Sequence, residues 1–134
     1  MSENELVGRV IAPGIASGEA LVTHMGISFF GGIDPETGII VEKGHELEGC
    51  CIVNKILVFP TGKGSTVGSY TIYRMKKNHT APLAIINQES EPIIAVGCIL
   101  AEIPCLDQIP VHAIKSGWIL KVDGEQGILS IIQK

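Results

Sequence analysis

Cys51-Ile52-Val53-Asn54-Lys55-Ile56-Leu57-Val58-Phe59 runs directly into Pro60-Thr61-Gly62-Lys63-Gly64-Ser65, and the two halves of this stretch differ in kind. The first half is largely continuous and apolar, as expected of a strand buried on both faces of a sheet. Pro60, with no amide hydrogen to donate to a ladder, ends it. The second half is rich in glycine and reads as a turn. From Ser65 to Asn78 the apolar positions Val67, Tyr70, Ile72, Tyr73 and Met75 predict a helix despite Gly68, with Ser65 or Gly64 at its N-terminal cap.

Downstream, Pro82-Leu83-Ala84-Ile85-Ile86-Asn87 predicts a second buried strand. Ser90-Glu91-Pro92 predicts a helix start, with Ser90 as cap and the helix running from Ile93 to Glu102. The right-handed crossover rule makes these two central strands parallel. Toward the N-terminus, Gly8 to Val22 predicts a hairpin around Pro13-Gly14, and Ile27 to Phe30 a further short strand. Gly31 to Gly38 is a loop rich in turn formers ahead of a β-prone Ile39-Ile40-Val41, with an Asx-type turn at Asp34-Pro35-Glu36-Thr37-Gly38. Gly117 to Ile131 reads as two β runs around Asp123-Gly124. The fold class is α/β, with β-rich halves around a strand, helix, strand, helix centre. At 134 residues the chain fits one domain, 1–134.

Hydrophobic residues make up 46% and charged residues 18%, which is apolar for so small a chain and fits either a well-filled core or a surface that meets a partner. Net charge is -4 and the longest basic run is Arg74-Met75-Lys76-Lys77, so no nucleic-acid partner is expected. Met1-Ser2-Glu3-Asn4-Glu5 lacks the positive start and apolar stretch of a signal peptide, and Ile93 to Ala101 is too short to span a bilayer. The expectation is a cytoplasmic protein with no membrane partner. Cys50, Cys51, Cys98 and Cys105 show no Cys-x-x-Cys spacing, so no metal site is expected and they read as reduced, buried thiols. His45-Glu46-Leu47-Glu48-Gly49 lacks the second histidine of a zinc helix, which leaves His45 as a turn residue.

The turn between the first buried strand and its helix is where open α/β sheets bind ligands. Gly62 and Gly64 let backbone amides approach a ligand, Lys63 carries positive charge, and the helix start adds unpaired amides; together they suit a carboxylate or phosphate. The spacing is not that of a nucleotide-binding P-loop, because Gly62-Lys63 is followed by Gly64 rather than Ser or Thr. Taken alone, the segment reads more readily as a tight turn with a helix cap than as a ligand site. Arg9 reads as a solvated charge or a phosphate ligand, and Trp118, Tyr70 and Tyr73 as core or interface packing.

In the order and spacing of its segments the chain resembles the aconitase X swivel domain family over nearly its whole length. The resemblance is carried by Gly8 to Ala20, by Asp34-Pro35-Glu36-Thr37-Gly38, by His45-Glu46-Leu47-Glu48-Gly49 and by Pro60-Thr61-Gly62-Lys63-Gly64-Ser65. It implies a swivelling β/β/α domain with barrel-like sheets, acting as the small subunit of a two-subunit hydro-lyase. The partner it implies is a large catalytic subunit holding an iron-sulfur cluster, with no cofactor on this chain. The substrate implied is a 3-hydroxy carboxylate: in the archaeal branch 5-phosphomevalonate, dehydrated to trans-anhydromevalonate 5-phosphate, and in another branch cis-3-hydroxy-L-proline. By the same resemblance Ser65 is the catalytic base, with Gly62, Lys63 and Gly64 as substrate-binding neighbours. A reading of another class, a non-catalytic module that presents Gly62-Lys63-Gly64-Ser65 to an anion, stays open.

Overall fold

The computed structural model of the protein describes residues 4–134; Met1–Glu3, part of the run read above for a leader, lie outside the described residues. In chain order the elements are β1 (Glu5–Val7), β2 (Arg9–Ala12), β3 (Ile15–Val22), α1 (Phe29–Gly32), β4 (Ile56–Phe59), α2 (Gly68–Lys77), β5 (Ala84–Asn87), α3 (Pro92–Ala101), β6 (Cys105–Asp107), a 3-10 turn at Val111–Ala113, β7 (Ile119–Asp123) and β8 (Ile128–Gln133). The eight strands follow the order β1-β8-β7-β3-β4-β5-β6-β2.

β1 and β2 are separated in sequence by Gly8 alone yet sit at opposite ends of that order, so the sheet must curl until its ends meet. Backbone bonds from Gly8 N to Gly127 O (2.8 Å) and from Gly124 N to Gly14 O (2.7 Å) stitch the β7–β8 turn to both ends of β2. β3 is the hinge of the curl. Ile15–Glu19 pairs antiparallel with β7, and Ala20–Val22 pairs parallel with β4.

β4, β5 and β6 continue the parallel set. All four residues of β4 are buried, and alternate side chains go to two cores. Ile56 and Val58 join Ala84, Ile86, Leu106 and Leu120 inside the curl. Leu57 and Phe59 join Ile72, Met75, Ile94 and Cys98 beneath α2 and α3. Burial of each such large side chain contributes roughly 1.5–3 kcal/mol, which is why the apolar run of β4 sits at the centre.

Several sequence expectations change. The Gly8–Val22 hairpin does not form: Pro13-Gly14 is a corner, and β2 pairs instead with β6, 98 residues away at Arg9 and Asp107. The strand from Cys51 shortens to Ile56–Phe59 because Asn54 takes a left-handed φ of 58° and Lys55 N turns back to Ile52 O. Ile27–Phe30 holds a single bridge at Ile27 before turning into α1, which is kinked at Phe30 and Gly31. Ile39 and Ile40 likewise make only isolated bridges, to Cys51 and Ile33.

The cap of α3 is Glu91, whose carboxylate accepts from Ile93 N and Ile94 N, with Pro92 in the first turn; Ser90 does not serve. The short strand β6 carries no sequence signal, because Cys105-Leu106-Asp107 is too brief to show a period. The C-terminal hairpin forms as expected, with Asp123 Oδ1 accepting from Glu125 N and Gln126 N in its turn. No helix among the described residues is long and apolar enough to cross a membrane.

Candidate functional site

The chain leaves β4 at Phe59 and runs as Pro60-Thr61-Gly62-Lys63-Gly64-Ser65 beside Gly26-Ile27-Ser28. Ile27 N donates to Thr61 O at 3.3 Å, and Lys63 N to Ile27 O at 3.0 Å. The Gly26–Ser28 segment is itself clamped from below. Buried His45 accepts from Leu47 N on Nδ1, so its Nε2 carries the hydrogen and donates to Gly26 O at 3.0 Å. Glu46 accepts from the Thr23 hydroxyl and from His24 N; these two donors hold its carboxyl below the ordinary glutamate range. His45 is thus more than a turn residue: it fixes the floor under the Ser65 turn.

Two glycines in the segment have structural reasons to be glycine. Gly62 is buried, and a Cβ there would lie 2.5 Å from Ile94 Cγ1 and 2.6 Å from Glu91 Oε1. Gly64 has φ +95°, and a Cβ there would lie 2.4 Å from Ser28 Oγ. The exposed part of the segment is therefore Lys63, Gly64 and Ser65.

Neither Ser65 nor Gly64 is the cap of α2, which is Val67 with no side-chain cap bond; Ser65 instead braces the turn ahead of the helix. Its Oγ accepts from Val67 N at 3.1 Å, its carbonyl accepts from Gly68 N at 3.0 Å, and the helix proper starts at Gly68, three residues later than expected. The hydroxyl is exposed and one backbone N–H already points at its oxygen, an arrangement that favours negative charge on that oxygen. The Lys63 ammonium is 2.8 Å from Glu42 Oε2, with the two side chains 46% and 27% exposed. No sequence signal pointed to Glu42, which lies 21 residues away with no helical or hairpin spacing to Lys63.

The segment passes between two open clefts. Pro60 and Thr61 line one of about 400 Å³ together with Arg9, Gln88, Glu89 and Asp107, at the carboxyl ends of β4, β5 and β6. Val67 lines the other, of about 520 Å³, with Phe29, Phe30, Val41, Tyr70 and Arg74. Arg9 is not a free surface charge. It donates from Nε and Nη2 to both oxygens of Asp107 at 2.9 and 2.7 Å, and Asp107, fully buried, also accepts from Ser90 N. The bonds that Asp107 accepts, and its negative charge, push the Arg9 guanidinium further up.

Asp34 makes the Asx turn read from sequence, with Oδ1 accepting from Glu36 N, and Glu36 pairs with Arg74. Tyr70 is 72% exposed, so the core half of its reading is corrected; Trp118 is half-buried under the Lys134 ammonium.

The cysteines do not fit an iron-sulfur cluster. Cys98 and Cys105 are buried, and the Cys105 thiol together with burial holds the Cys98 thiol well above its ordinary range. The expectation of four buried thiols fails for the other two: Cys50 is half-buried, and Cys51 is exposed and donates to Thr37 O. Among the described residues no group of three or more His, Cys, Asp or Glu could hold a metal ion.

The family model for the aconitase X swivel domain matches residues 5–131. The chain belongs to the aconitase X swivel domain family. This swivel domain is 51% identical over 132 residues to the phosphomevalonate dehydratase small subunit of Methanosarcina acetivorans, covering 96% of this chain and 92% of that one. It is similar to the holo-form crystal structure of aconitase X from Thermococcus kodakaraensis, with TM-score 0.95, 48% identity, and coverage of 96% and 98%. The 3-isopropylmalate dehydratase LeuD of Methanocaldococcus jannaschii shares the fold alone, at 15% identity and TM-score 0.63. The swivel fold and the barrel-like sheet expected from sequence are therefore present.

Proposed function

We propose that this swivel domain is the small subunit of phosphomevalonate dehydratase, a hydro-lyase that converts (R)-5-phosphomevalonate to trans-anhydromevalonate 5-phosphate in a modified mevalonate pathway. The name carried by relatives about half identical over almost the whole chain supports the dehydratase assignment. The observation that carries the role of this chain is Ser65: an exposed hydroxyl in the turn that leads from the central parallel strand β4 to α2, with Val67 N–H bonded to its oxygen. A site open on one side needs a second surface to exclude water, which is the part of the large subunit. The iron-sulfur cluster of the family is assigned to that subunit.

In this reading Ser65, carrying alkoxide character, takes the proton from C2 of the substrate. The C2–H electrons form the C2=C3 double bond as hydroxide leaves C3. The Val67 N–H stabilises the oxygen before it is protonated, and the turn held by Ile27 and Ser28 fixes its position. Lys63 and Gly64 form the exposed edge that the substrate meets, while Gly62 sets the path of the loop from within.

The test is to co-express this chain with its large subunit, reconstitute the cluster without oxygen, and assay water loss from 5-phosphomevalonate beside cis-3-hydroxy-L-proline. Turnover of phosphomevalonate is expected. Ser65→Ala should assemble normally, since losing a hydroxyl that accepts one turn bond costs only about 0.5–1.5 kcal/mol, yet lose nearly all turnover. Turnover of the proline alone would move the assignment to the other branch, and an active Ser65→Ala complex would remove Ser65 from the chemistry.

A further inference from the structure

A lysine beside a catalytic serine invites the conclusion that its charge drives the serine toward the anion. The geometry points elsewhere. The Lys63 ammonium is bonded to Glu42 Oε2 at 2.8 Å, and the pair is anchored at both ends. On one side the Lys63 stem lies over Gly26, where an added Cβ would come 3.5 Å from Cδ and 3.6 Å from Cγ. On the other, Glu42 N donates to Gly32 O at 3.3 Å and Glu42 Oε1 lies 3.3 Å from where a Cβ on Gly32 would be. Opposite charges this close present almost no net charge to a group some distance away. Ser65 meanwhile has its own donor in Val67 N–H.

We propose that Glu42 is a positioning residue for the Ser65 turn: it fixes the Lys63 ammonium and cancels its charge, so that negative charge on Ser65 is stabilised by the Val67 amide rather than by the lysine. Lys63 then serves the substrate as a placed hydrogen-bond donor, not as a free cation. The device suits a base that must take a proton from carbon, because an uncancelled ammonium would stabilise the alkoxide and make it a weaker base. The inference rests on the reading of Ser65 as base for its effect on turnover, and on the ion pair alone for its effect on anion binding.

The experiment compares Glu42→Gln, Lys63→Gln, the double variant and Ser65→Ala in the reconstituted complex with 5-phosphomevalonate. Glutamine keeps an acceptor for Lys63 while removing the opposing charge. Glu42→Gln is expected to lower KM about two- to five-fold at low salt, an effect that fades as ionic strength rises. It also moves the acidic limb of the kcat profile to lower pH, because an unopposed ammonium favours anionic Ser65. Lys63→Gln raises KM, and adding Glu42→Gln to it recovers about two- to five-fold.

A Glu42→Gln complex with unchanged KM and pH limb, or a double variant no better than Lys63→Gln, overturns the proposal. An active Ser65→Ala complex removes the base assignment, while the KM comparisons still read the pair. Should no complex turn over phosphomevalonate, the rate at which trinitrobenzenesulfonate modifies Lys63 in the whole chain decides the matter. It should rise several-fold in Glu42→Gln, and an equal rate in both proteins overturns the pairing.

Discussion

Gly64→Ala tests whether the Ser65 turn is held by backbone geometry. At φ +95° an alanine sits where L side chains are crowded against their own backbone, at a cost of about 1–2 kcal/mol. The new Cβ would also start 2.4 Å from Ser28 Oγ and 3.2 Å from Ser28 Cβ. Ser28 can swing its hydroxyl away, but only by giving up its bond to Phe30 O at 2.8 Å, worth about 0.5–1.5 kcal/mol. The sum is a loss of about 1.5–3.5 kcal/mol, read as a shift of the denaturation midpoint of the chain with unchanged slope. In a Ser28→Ala background the hydroxyl conflict is gone, and Gly64→Ala should then cost only the backbone part, about 1–2 kcal/mol. If the loop relaxes instead of straining, stability is spared, but Ser65 moves and turnover in the complex falls about a hundred-fold, as displacement of a catalytic group by about 1 Å does. A Gly64→Ala protein with both stability and turnover intact would refute the reasoning.

Two further tests bear on parts the sequence read differently or did not read. Glu91→Ala should cost about 1 kcal/mol by freeing the amides of Ile93 and Ile94, whereas Ser90→Ala, whose Oγ has no partner, should be neutral; a reversed order in denaturant melts would return the cap to Ser90. Glu46 has a folded-state carboxyl held below its unfolded value, so its contribution is present above about pH 4–5 and is lost as pH falls through the folded value. Glu46→Gln should remove that part of the acid-side loss while leaving the slope above pH 6 unchanged, and an identical pH–stability curve would show that the Thr23 and His24 bonds carry no linkage.

What the sequence determined by itself were the features whose cause lies within a few residues. The Asp123 side chain bonds amides two and three places on and so writes the β7–β8 turn into Asp123-Gly124. Asp34 does the same at its own turn. Ser65 reaches the amide of Val67 two positions ahead, a local turn bond, while the cap of α2 falls two residues beyond it at Val67. The run Ile56–Phe59 declared a strand buried on both faces, and the whole-chain pattern carried the family and with it the swivel fold.

Tertiary structure decided which strands meet and which charges meet. Two β-prone stretches flanking Pro13-Gly14 satisfy hairpin rules, but the curl of the sheet sends them to different neighbours, because β3 pairs along its length with β7 and β4 while β2 closes the far edge on β6. Arg9 finds Asp107 only through that closure. Lys63 finds Glu42 only because Gly26–Ser28 lies alongside Thr61–Lys63. Local hydrogen bonds and φ limits act over two to four residues and are written in order along the chain. Pairing between distant segments is set by how apolar faces are most completely buried together, a property of the whole fold that no short window of sequence contains.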